Sequence, residues 1–94
     1  MKPVRLHRKH LGLTVAWCAK HTPNRNGGRG VCPRTWKGWE SGQYNTPAIV
    51  IDWLKELSDD VSKAAQERIA GIEPREVPNA CQWRVEYEVM QHRG

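Results

Sequence analysis

Leu11-Gly12-Leu13-Thr14-Val15-Ala16-Trp17-Cys18-Ala19 and Val31-Cys32-Pro33-Arg34-Thr35-Trp36-Lys37-Gly38-Trp39-Glu40-Ser41-Gly42 are the stretches whose reading decides the fold. Thr14 suits a helix N-cap, because its side-chain oxygen can accept from an open N–H of the first turn. A helix is therefore expected from Val15 to about His21. Pro33 suits the first turn of another helix beginning near Cys32, since it lacks an N–H that would go unused there. That helix runs to Ser41 and ends at Gly42. Between the two, Thr22-Pro23-Asn24-Arg25-Asn26-Gly27-Gly28-Arg29-Gly30 is too rich in Pro and Gly for a helix and reads as a loop. Upstream, Leu6, His10, Leu11 and Leu13 indicate a first short helix over about Val4 to Leu11, closed by Gly12.

Working outward toward the C-terminus, Thr46-Pro47 gives a second N-cap followed by a first-position proline. From Ile49 through Trp53, Leu57, Val61 and Ala65 to Ile69, apolar residues recur every three or four positions, giving one helical stripe. Ser58-Asp59-Asp60 can interrupt it, which makes two consecutive helices; Gly71 and Pro74 stop it. Finally, Trp83, Val85, Tyr87 and Val89 alternate with Arg84, Glu86, Glu88 and Met90, the pattern of a strand with one apolar face. The expected fold is mainly α, five helices with a C-terminal β-strand. A lone strand leaves backbone donors and acceptors open. It either pairs with the same strand of a second copy across a two-fold axis or lies over its own helices, and a homodimer through Trp83, Val85, Tyr87 and Val89 is the expectation. Residues 1–57 then form one domain and 58–94 a dimerisation extension.

Composition narrows the function classes. Ninety-four residues suit one small core, and with five Trp and no Phe a few large rings must anchor it. No apolar run approaches the roughly 20 residues that span a bilayer, and nothing near Met1 reads as an export signal. Three cysteines in that setting fit a reduced, cytoplasmic protein, with no membrane partner. Charge is lopsided: residues 1–47 hold nine Lys or Arg against Glu40 alone, a net +8, whereas residues 48–94 carry −3. Such asymmetry points to a polyanion at the basic end.

The two opening stretches resemble the helix-turn-helix of lambda-repressor/Cro-type regulators. Leu11-Gly12-Leu13-Thr14 with Ala16 opens the second helix, and Val31, Thr35-Trp36 and Trp39-Glu40-Ser41-Gly42 close the recognition helix. The resemblance covers about residues 4–57, with Ile49 to Leu57 matching the helix that completes the family's core. Arg34-Thr35-Trp36, Trp39-Glu40-Ser41-Gly42 and Pro47 together are also similar to a subgroup of phage, plasmid and anti-CRISPR-associated regulators. The resemblance implies a sequence-specific regulator that binds double-stranded DNA as a homodimer on an inverted repeat. Repression is the default, a domain this small having little surface for polymerase. Arg34 is then the chief base reader, because its planar fork can hold guanine O6 and N7. Pro33, Thr35 and Gly38 share that flank, Pro33 through van der Waals contact alone and Thr35 with an inward alternative. Lys37, Arg25, Arg29, Gln43, Tyr44, Asn45 and Thr14 fall to phosphates, which fix register. Glu40, the one acid of the basic half, is expected to point inward and tie to Arg5 or Arg8 of the first helix. Two departures from the family stand out: the insert Thr22–Gly30, which reads as hinge-like, and Cys32-Pro33 where a polar residue usually opens the recognition helix.

Other chemistries are weaker. Cys18, His21 and Cys32, with His7, His10 or Cys81, contain zinc-ligand types, but Cys32 lacks a neighbouring partner and Cys18 falls where the family buries a small apolar group. No metal or cofactor is expected. Neither a nucleophile elbow, a phosphate loop nor a pair of catalytic carboxylates is recognisable, so no enzyme is expected. The alternative from another class is a helical adaptor whose basic half takes an acidic protein partner.

Overall fold

A computed structural model describes residues 3–24 and 26–93. It contains α1 (Pro3–Leu11), α2 (Val15–His21), α3 (Pro33–Ser41), α4 (Ala48–Ile69) and α5 (Asn79–Arg93). The chain forms two compact units, Met1–Lys55 and Glu56–Gly94, and the boundary falls inside α4. Among the described residues no helix is long and apolar enough to cross a membrane.

The first unit is built around tryptophan. Trp36 is fully buried and Trp39 nearly so, at 5.5 Å between ring centroids, and the Trp53 ring of α4 meets Trp36 edge-on at 6.5 Å. Trp17 of α2 stacks on Trp53 with ring planes 11° apart. Aromatic pairs in offset or edge-on geometry add stabilisation beyond the area they bury. Val4, Leu11, Leu13, Cys18, Ala19, Val50 and Leu54 complete the core. Local chemistry sets the ends: the Trp17 N–H donates to Thr14 Oγ1 at 3.0 Å, and Gly42 takes a left-handed φ of 86° that ends α3.

The second unit buries Leu57, Val61, Ala64 and Ala65 of α4 with Cys81, Val85 and Val89 of α5. Arg68 pairs with Glu86, and Arg75 donates to Glu67 at 3.0 Å. Two expectations are corrected here. Ser58-Asp59-Asp60 does not break α4: Asp59 instead accepts from Lys63 one turn on, at 2.8 Å. The C-terminal segment is helix α5, with no strand among the described residues. The fold is mainly α with five helices, the fifth being the segment read as a strand.

The physical reason lies in Cys81. Counted as apolar, it begins the series Cys81, Val85, Val89, spaced by four and wholly buried, one stripe of a helix. Trp83 and Tyr87 fall on another side and are each 44% exposed, with Met90 more exposed still. The four residues expected to form one dimerising face are thus split. Val85 and Val89 are core of their own protomer, and the unpaired-strand argument for a second copy falls away.

Candidate nucleic-acid interface

The outward side of α3 is fixed by what holds its inward side. Arg8 of α1 grips Glu40 of α3 with two bonds, Nε to Oε2 at 2.6 Å and Nη2 to Oε1 at 2.9 Å. Its remaining amino group donates to the Leu13 carbonyl at 3.0 Å, and the Trp36 indole N–H also donates to Glu40. One guanidinium therefore ties α1, the turn after it and α3 together, as the lone acid of the basic half foreshadowed. Burial by itself pushes the Glu40 carboxyl up, but the bonds from Arg8 and Trp36 and the charges of Arg8 and Arg5 outweigh it and hold it below the usual range. Glu40 is half-buried and internally neutralised, so it offers no repulsion to an anion outside.

With Trp36, Trp39 and Glu40 turned inward, Pro33, Arg34 and Lys37 are exposed. Arg34, Lys37, Ser41 and Gln43 line a shallow groove of about 350 Å³ along α3, floored by Gly38. Thr35 is half-buried on the flank. Gly38 corrects an expectation: it is buried, not free on the outer face. The Tyr44 ring lies against it, and a Cβ at this position would collide with that ring. Tyr44 N–H donates to the Gly38 carbonyl at 3.1 Å, which fixes the chain leaving α3 against the helix. Gln43, Tyr44 and Asn45 are exposed beside it. At the other end of the motif, Thr14 has committed its oxygen to the α2 cap, leaving its hydroxyl hydrogen to donate outward.

The described residues of Thr22–Gly30 are knitted together by hydrogen bonds, where a hinge-like insert was expected. Pro23 and Arg29 form an antiparallel bridge, and Gly30 N–H donates to the Thr22 carbonyl at 2.7 Å. Asn24 organises it from within: its Oδ1 accepts from the N–H groups of Asn26 and Gly28, and its Nδ2 donates to the Gly30 carbonyl at 3.0 Å. Val31 N–H then reaches the Ala19 carbonyl at 2.7 Å, so α2 and α3 are joined directly despite the added length. Arg29 is exposed, its guanidinium turned toward the His21 carbonyl at 3.4 Å. Arg25 lies outside the described residues. The sequence reading missed Asn24, whose signal was an Asn preceding Asn-Gly-Gly, where a side chain can mimic a backbone turn.

Among the described residues, no three His, Cys, Asp or Glu side chains gather where one metal ion would reach them. Cys18 and Cys81 are buried and Cys32 is exposed. No family model matches this chain, and neither does any curated protein or solved structure.

Proposed function

We propose that the chain is a sequence-specific DNA-binding regulator of the lambda-repressor type, acting as a repressor on an inverted repeat. The observation that carries the reading is α3 itself: a short helix locked from behind by Trp36, Trp39 and the Arg8–Glu40 pair, with Arg34 and Lys37 turned outward. It belongs to a unit of net charge +8 whose acids are Glu40, neutralised internally, and Asp52. A rigid helix with exposed Arg and Lys is what the major groove admits, and excess positive charge draws it to the phosphates.

On this reading Arg34 reads guanine, Lys37, Gln43, Asn45 and the Thr14 hydroxyl reach phosphates, and Arg29 adds charge beside them. Two copies are needed for an inverted repeat, their half-sites about one helical turn apart. The Trp83, Tyr87 and Met90 face of α5 is the surface we assign to that pairing, in place of the strand. The test is selection from random duplexes followed by titration over a salt series. Affinity falling steeply with salt, together with an enriched palindromic sequence, supports the reading. Weak binding indifferent to sequence overturns it in favour of an adaptor for an acidic protein.

A further inference from the structure

A second concavity lies on the flank of α3, and of its lining residues the proposed function assigns Asn45 alone to DNA. It measures about 470 Å³ and is lined mostly by apolar atoms. Pro23 and Val31 bound it on the turn side, Trp39 on α3, and Tyr44, Pro47 and Ile49 on the far side. All of these belong to the first unit, so the cavity is formed within one compact body. Small-molecule sites typically fall between about 300 and 1,000 Å³ with apolar walls and a few placed polar groups.

The lining says what it would take. Among the described residues it holds no Lys, Arg, Asp or Glu, although the unit around it carries +8. An anion would find its partners elsewhere on this surface, and a cation would be repelled. The polar side chains on the lining divide by availability. Asn24 is spent on the turn, whereas the half-buried Thr35 hydroxyl and the Asn45 carboxamide have no bonding partner among the described residues. A hydroxyl and an amide beside flat rings suit a neutral planar molecule with a donor or acceptor at its edge.

We infer that this cavity is a binding site for a neutral aromatic small molecule of two or three rings, and that its occupancy alters DNA binding through α3. Thr35 and Trp39 are on α3, and the Tyr44 ring forms both a wall of the cavity and the cover of Gly38. A ligand pressing on Tyr44 therefore acts on the helix that carries Arg34. The site itself is independent of the DNA reading; its regulatory consequence rests on that reading.

The probe pair is N-phenylnaphthylamine, which is neutral, and anilinonaphthalene sulfonate, the same ring system with an anionic group. The neutral probe is expected to bind with enhanced emission and to shift the NMR signals of the Trp39 indole N–H and the Asn45 side-chain amide. The sulfonate should bind about tenfold more weakly, since its charge finds no partner among the described lining residues. Ile49→Glu places a carboxylate on the wall at a half-exposed position in the first turn of α4, where an acid is tolerated by the helix. It should weaken the neutral probe about tenfold or more, while Ile72→Glu, exposed in the other unit, leaves it unchanged. Equal binding of both probes, or indifference to Ile49→Glu, overturns the site; so does probe binding that falls as protein concentration rises, which assigns the cavity to a second copy. If the probe binds as expected but operator affinity is the same with and without it, the site stands and its coupling to α3 is overturned. If no operator exists, the DNA reading fails and the probe result is untouched.

Discussion

At the residue scale two side chains on one helix have opposite duties. Glu40 faces in and holds α3 to α1; Arg34 faces out. Glu40→Gln keeps the shape but leaves Arg8 without its counter-charge, and a loss of about 1.5–3 kcal/mol at neutral pH is expected, the usual worth of hydrogen bonds to charged groups. Because the folded state holds the Glu40 carboxyl below its ordinary value of about 4.3, the pairing contributes fully above that value and is lost as pH falls through the lowered one. Denaturant titrations of the two proteins should therefore differ fully above about pH 4.3 and draw together as the pH falls below it. Convergence at neutral pH would mean the pair stabilises nothing. Arg34→Ala should leave folding unchanged and remove about 1–3 kcal/mol of discrimination per half-site at a guanine. Competition between the selected duplex and guanine-substituted versions measures it; equal loss on every sequence would make Arg34 a phosphate contact.

At the scale of elements, α5 separates what was legible in the sequence from what was not. The ends of α2 and α3 are local: Thr14 caps, Pro33 starts and Gly42 stops without help from distant residues. The inward turn of Glu40 was legible too, because a single acid in a basic half must be explained somewhere, but the choice of Arg8 over Arg5 was not. Val85 and Val89 were ambiguous because a spacing of four satisfies both a strand alternation and a helical stripe. Only burial in the folded unit, where Cys81, Val85 and Val89 go in together, chooses between them. Tyr44 over Gly38 depends on where the chain goes after leaving α3, which no local pattern encodes, whereas the Asn24 turn rests on local bonds to Asn26, Gly28 and Gly30. The helical reading has its own test. Val85→Ala should destabilise the second unit by about 2 kcal/mol, near the lower end for truncating buried aliphatics. Met90→Ser should leave folding within about 0.5 kcal/mol, as surface changes do, and on the proposed pairing weaken self-association in sedimentation. Equal folding costs for Val85→Ala and Met90→Ser would contradict the split between faces.

At the scale of the whole molecule, charge is partitioned along with the fold: +8 in the first unit and −3 in the second. The second unit's cations are largely occupied with acids of their own, Arg68 with Glu86 and Arg75 with Glu67 and Asp60. Salt dependence should therefore originate in one unit. Lys37→Ala should lower the slope of log affinity against log salt by about 0.9, the increment for one released counterion. Arg68→Ala should leave that slope where it is. A slope that responds to both would mean that DNA touches the acidic unit as well.

The glycine under Tyr44 bears on how such a chain can change over generations. Every substitution at Gly38 adds a Cβ and displaces the Tyr44 ring, so change in the middle of α3 is coupled to that side chain. Ser41 lies at the far end of the helix, so on the proposed reading Pro33, Arg34 and Lys37 are the exposed positions where a lineage can alter its preference by single steps. New operators would be acquired through a very small alphabet of side chains, or by moving the helix instead of redecorating it.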